Sequence, residues 1–189
     1  DQRDTKFQCG FKMEDNEYPD DIFQGIVIED GSFDIFYQDT EDQELHYGFE
    51  DEESKININT LTANNYQILV NLITYLGYDE SVAKTLASAV MDWRDENNEV
   101  FNESYGAEND YYEEQKAGYF CKNAPLDSLE ELLLIRGMTP EIFSKIKNMV
   151  TLFPKQGNLL VNFDTAPKPV LVALARNFVG GQSNTALYD

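Results

Sequence analysis

At 189 residues the chain can hold one large domain or two small ones, and a composition 42% hydrophobic and 13% aromatic is too apolar for a disordered protein. Its 35 acidic residues against 14 basic ones give a formal net charge of −21. That balance argues against a phosphate-backbone partner, whose affinity comes from Lys and Arg, and no apolar run approaches the ~20 residues of a membrane-spanning helix.

Residues 1–22 are polar and acidic without a clear period. From Phe23 onward two β-rich runs, FQGIVIED and SFDIFYQD, meet at Asp30-Gly31, a dipeptide that favours a hairpin turn. ELHYGFED makes a third run and KINI at 55–58 a fourth, so a small antiparallel sheet is expected. His46, the only histidine, lies in the third run with no partner in sequence, and a structural or surface role is expected of it.

After Asn59 the period becomes helical. Leu69, Leu72, Ile73 and Leu76 share one face, and Gly77 stops the helix. Asp79 then opens a second helix bearing Val82, Leu86, Val90 and Trp93, with Ala83 and Ala87 allowing close approach. A third is signalled by the Ser128/Glu131 capping box and runs to Gly137. Thr139-Pro140 starts a fourth, expected to bury Ile142, Phe143, Ile146, Met149 and Val150. GNLLVNF reads as a strand and Ala166 to Phe178 as a last helix. One echo stands out: Asn57-Ile58-Asn59-Thr60 returns as Asn162-Phe163-Asp164-Thr165, each copy leading into a leucine-bearing helix. LLLIRGMTPEIFSKI, and NINT with the helices flanking Gly77, resemble helix-hairpin-helix units. The Gly137-Met138-Thr139 turn, however, lacks the second glycine of a phosphate-binding turn.

Between the second and third helices lies DWRDENNEVFNESYGAENDYY, residues 92–112, dense in side-chain oxygens and carrying Arg94 as its only cation. Such a set repels itself unless neutralised, and the natural neutraliser is a hard cation with roughly six to eight oxygen ligands, Ca²⁺ first. The competing reading is a plain solvated acidic loop. Trp93, Tyr105, Tyr111 and Tyr112 anchor the stretch, and a turn at Gly106 would return Glu108 and Asp110 towards Asp95 and Asn97. Asp92 and backbone carbonyls are further candidate ligands. Calcium is expected to win over magnesium, because a long irregular loop suits a flexible cage better than a tight octahedron. The ion's role is expected to be structural.

Cys9 and Cys121 make no zinc site with one histidine; they form one disulfide in an oxidising compartment or stand as two separate thiols. There is no Ser/His/Asp set, Cys/His pair at suggestive spacing, P-loop or dinucleotide fingerprint, and a non-enzyme is expected.

KININT, MDWRDEN followed by GAENDYY, the N-x-PL-x-SL-x-EL run of Asn123 to Leu132 leading to GMTPE, and VNFDTA occur in one order. In that order, over Tyr47 to Leu174, the chain resembles the K-type minor pseudopilins of bacterial type II secretion systems. The resemblance implies an α+β fold: a pilin-like antiparallel β-domain with a large α-helical insert. On that pattern residues 1–58 begin the β-domain, 59–156 form the insert with its loop at 92–112, and 157–189 return to the β-domain. It also implies a calcium site in the insert, with Asp92, Asp95 and Asn97 on the family's D-W-x-D-x-D pattern and Glu108 and Asp110 in its GAE-D-Y segment. Asn97 stands where the family has Asp, which removes one charge. Implied besides are I-type and J-type minor pseudopilins as partners at the pseudopilus tip, export of folded proteins across the outer membrane, and a periplasmic location. The family's inner-membrane anchor is an N-terminal helix not found in this sequence, so a trimmed, soluble piece is expected, cut short at its far end too. Two rival readings remain: an extracellular calcium-binding adhesion or scaffold module, and a competence-type helix-hairpin-helix DNA binder.

Overall fold

The computed structural model describes residues 23–38, 45–116 and 118–180. The fold is α+β. Strands β1 (Ile26–Ile28) and β2 (Gly31–Phe33) form the hairpin expected at Asp30-Gly31. SFDIFYQD is not one strand, however. Asp34 Oδ1 accepts the Gly25 N–H at 2.6 Å and ends the first ladder. The chain then starts β3 (Phe36–Gln38), which pairs antiparallel with β4 (Leu45–Tyr47) and sets His46 opposite Tyr37. The expected four-stranded sheet is therefore two separate hairpins among the described residues.

The fourth run pairs elsewhere. In β5 (Ile56–Asn57) it lies parallel to β6 (Val150–Thr151), bringing together residues that no hairpin could join. Asn57 Oδ1 then accepts the Asn59 N–H at 2.9 Å, and the backbone leaves the extended form. Asn59 is buried and fully used: its Oδ1 accepts from Leu126 N–H at 2.8 Å, while its Nδ2 donates to the carbonyls of Leu126 and Leu152. A buried amide satisfied on both ends pins three distant segments at one point.

Helix α1 (Gln67–Tyr75) is buried on more than one side because it packs against both α2 (Glu80–Arg94) and α5 (Lys168–Gly180). Asn71 Nδ2 donates to the Ala173 carbonyl at 3.0 Å across the α1–α5 contact. Residues 157–180, expected to rejoin a β-domain, thus send Val170, Ala173 and Leu174 into the helical core. GNLLVNF forms no strand: Asn162 and Thr165 are tied to the Asp51 carboxylate at 2.9 and 2.6 Å.

The capping-box helix is 3₁₀ over Leu129–Leu134, both bonds of the box being made. Three residues per turn stacks Leu129 under Leu132 and leads on to Ile135, whereas Leu133 and Leu134 face out. Thr139 Oγ1 caps α4 (Pro140–Ile146) by accepting from Ile142 N–H. That helix ends earlier than expected, so Val150 is buried from a strand instead. Gly137, at φ +85°, backs onto α2: a Cβ there would lie 3.4 Å from Leu86 N. None of the described helices is long and apolar enough to cross a membrane.

Candidate metal centre

The acidic stretch is built on the C-terminal end of α2. Asp92 faces inward on the last turn and is completely buried. Trp93 beside it meets the rings of Tyr112 and Tyr119 edge-on at 5.5 and 6.1 Å. Tyr66 and Phe101 make a similar contact at 4.9 Å. Of the aromatic anchors expected from sequence, Trp93 and Tyr112 make such contacts, and Tyr66 and Tyr119 join from outside the stretch. After Tyr105 the chain turns, with Gly106 N–H donating to the Asn102 carbonyl at 2.7 Å. Gly106 is required by proximity and not by its turn: a Cβ would overlap Asp92 Oδ2 and the Val100 side chain. A short helix, α3 (Asn109–Glu114), follows inside what reads in sequence as loop.

This path brings Asp92, Asp95 and Glu108 together, one carboxylate oxygen of each lying within 4.8 Å of the others. Both Asp92 oxygens accept backbone N–H groups, from Phe101 at 2.6 Å and Ala107 at 2.5 Å. Glu108 is only 4% exposed, yet neither of its carboxylate oxygens has a hydrogen-bond partner. Buried orphans of this kind are costly. Burial, then the charges of Asp92 and Asp95, push the Glu108 carboxyl up to about 7, while the Asn109 N–H and the Cys121 thiol, close by but outside hydrogen-bond geometry, offset part of the effect. Burial also raises the carboxyls of Asp92 and Asp95 above the usual range, the backbone donors offsetting part of the effect.

The other two candidate ligands are placed differently. Asn97 Oδ1 accepts the Glu99 N–H at 2.5 Å, closing a local turn. Asp110 sits exposed in the first turn of α3, outside the carboxylate cluster. Asp92, a possible addition on sequence grounds, is central. Arg94 turns away from the carboxylates: its Nη2 donates to the carbonyls of Asn59 and Leu61 at 2.7 and 3.1 Å. Burial lowers its pKa to about 10.

Several residues that close the site carry no signal in the sequence. Asn98 Oδ1 accepts from the side-chain amides of Asn109 and Asn123, tying the two limbs of the stretch to the chain beyond. The Cys121 thiol donates to the Ala107 carbonyl at 3.6 Å, and burial, then the nearby carboxylates, push it up to about 12. Cys9, and with it the disulfide considered above, lies outside the described residues. The donors facing the cluster are carboxylate oxygens with lone pairs free on Glu108, an arrangement that fits a hard divalent cation. It offers no histidine.

The fold has a counterpart among solved structures. The chain is similar, at a TM-score of 0.60 and 23% identity, to a chain of the crystal structure of the GspK–GspI–GspJ complex from the enterotoxigenic Escherichia coli type 2 secretion system. The match covers 72% of this chain and 52% of that one. A family model described as type II secretion system (T2SS), protein K matches residues 54–155, more than half of the sequence, and the chain belongs to this family. Among curated relatives, type II secretion system protein K of Aeromonas hydrophila is 34% identical over 113 residues, 58% of this chain. The Klebsiella pneumoniae protein of the same description is 30% identical over 112 residues, 59% of this chain. The match spans 33% of the length of each relative.

Proposed function

We propose that the chain is the soluble part of a minor pseudopilin at the tip of a type II secretion pseudopilus, where it assists export of folded proteins across the outer membrane. It works there as a structural component and not as an enzyme, in the periplasm, anchored in the inner membrane when full length. Its partners are I-type and J-type minor pseudopilins. Membership in the protein K family and the shared fold with a chain of the GspK–GspI–GspJ complex support this reading. Within it, the helical body, α5 included, is held in shape by a calcium ion bound in the 92–112 stretch.

The observation that carries the calcium reading is Glu108, a buried carboxylate with two unpartnered oxygens facing two more carboxylates. Three carboxylates this close, two of them buried and one half-buried, are not all charged at once without a counter-charge. Asp92, Asp95 and Glu108 would hold the ion, with Asn97 Oδ1 offering its second lone pair and Asp110 adding negative charge on the outer turn of α3. A bound calcium supplies two positive charges and accepts irregular oxygen coordination. The N–H groups of Phe101 and Ala107 hold Asp92 in place, and Trp93, packed on Tyr112 and Tyr119, anchors the end of α2 beside it.

Melting curves of the protein in calcium and in chelator test this. A hundredfold excess of calcium over its dissociation constant adds roughly 2.7 kcal/mol by mass action, a rise of roughly 5–10 °C for a chain of this size. The rise is expected to vanish in Asp95→Ala and Glu108→Ala. Coincident curves for the wild type, unchanged in both variants, would leave only a solvated acidic loop.

A further inference from the structure

Arg136 sits in the turn between the 3₁₀ helix Leu129–Leu134 and α4, just before Gly137. Its side chain and backbone N–H reach back to the acidic stretch. Its Nη1 donates to the Gly106 carbonyl at 2.6 Å. Its guanidinium lies 4.8 Å over the Tyr111 ring, and its backbone N–H donates to the Tyr112 hydroxyl at 3.3 Å.

The Gly106 carbonyl and the Ala107 N–H belong to one planar peptide unit. The carbonyl end is held by Arg136, and the N–H end is given to Asp92 Oδ2 at 2.5 Å. A single rigid group is thus gripped by a cation on one side and by a carboxylate on the other. Drawing charge onto the oxygen makes the N–H a stronger donor, so the two bonds reinforce each other. Close packing of Gly106 against Asp92 and Val100 leaves the peptide no room to shift. The next residue along is Glu108.

We propose that Arg136 is a positioning residue for the cation site, acting through the Gly106–Ala107 peptide to fix Asp92 and aim Glu108 without touching the ion. This rests on the calcium reading above. A simpler role makes the opposite forecast. If Arg136 served only as a counter-charge to the carboxylates, it would repel an incoming cation, and its removal would tighten calcium binding.

The test is calcium titration of the chelator-treated full chain by calorimetry, for wild type, Arg136→Met and Arg136→Lys. Both variants keep an aliphatic stem of similar length. Loss of a residue that orients ligands costs about tenfold to a hundredfold in metal affinity, and that loss is expected for Met. Lys keeps a charged donor but no planar fork, and is expected to recover part of it. Hydrogen exchange at the Ala107 amide is expected to speed up in the Met variant before any calcium is added, a readout that mere packing would not move. Binding by the Met variant as tight as wild type, or tighter, overturns the proposal. So do equal losses in Met and Lys with Ala107 exchange unchanged. If the Met variant shows no cooperative melting, Arg136→Gln takes its place: weaker binding than wild type supports the proposal, and a match overturns it. A flat titration of the wild type overturns the calcium reading and this one with it, a failure distinguishable because only then does the parent protein bind nothing.

Discussion

Glu108 is the residue whose environment departs most from that of a surface carboxyl, and its behaviour with pH follows from that. Its folded pKa of about 7 stands above the ordinary value of 4.5. The metal-free folded protein therefore holds a proton there that the unfolded chain gives up. The stability this lends is fully present below pH ~4.5 and is lost as pH rises through about 7. Chelator-treated protein is expected to melt higher near pH 5.5 than near pH 8, and Glu108→Gln should flatten most of the difference. A slope left intact in that variant would assign it to the other carboxylates. Added calcium should reverse the trend, since proton and cation compete for the same oxygens. Density of acids made Asp92, Asp95 and Glu108 legible in the sequence. Arg136 was not, because nothing in a linear reading says that its guanidinium returns to Gly106. Arg94, next to the acids in sequence, turns its side chain to the carbonyls of Asn59 and Leu61.

Elements were legible where a local signal sets them and obscure where a distant partner does. The echo of NINT and NFDT is a repeated turn: Asn57 Oδ1 accepts from the N–H two residues on, and so does Asn162 Oδ1, at 2.9 and 3.1 Å. The helices that follow the two copies, α1 and α5, pack on each other. Helix α2 and the Thr139 cap also fell where propensity put them. The 3₁₀ form of Leu129–Leu134 was in the sequence as a spacing of three, hidden by a capping box that suits either helix. The β5–β6 pair was not legible, since parallel pairing carries no turn signal. Two glycines separate local from tertiary causes. Gly77 and Gly137 both have positive φ, at +91° and +85°, but only Gly137 has neighbours where a Cβ would go. Alanine at Gly77 is expected to cost the backbone term alone, about 1–2 kcal/mol. Alanine at Gly137 should cost about 1–3 kcal/mol more, through overpacking against Thr85 and Leu86. Equal midpoints for the two variants in chemical denaturation would remove the tertiary part.

For the whole molecule, a net charge of −21 coexists with a set of exposed apolar side chains on and beside the β hairpins. Val27, Ile28, Phe36, Leu45 and Phe49 are exposed there. Sheet faces of this kind favour association. We expect the protein to join I-type and J-type partners through this β side, with the helical body turned outward. Co-purification of the three soluble domains checks it: co-elution is expected, with Val27→Asp weakening it and Glu108→Ala sparing it. Absence of any complex, each domain being folded, would count against the assignment of partners.

The β5–β6 pair and the α1–α5 contact both join chain from before residue 92 to chain from beyond residue 149. With the exposed residues Glu96–Glu99 between them, the body is wired as a closed ring and not as a string of parts. A nick in that exposed run would produce two polypeptides still sharing one core. Chain continuity through the acidic stretch is dispensable for holding the body together, and what that stretch contributes is shape.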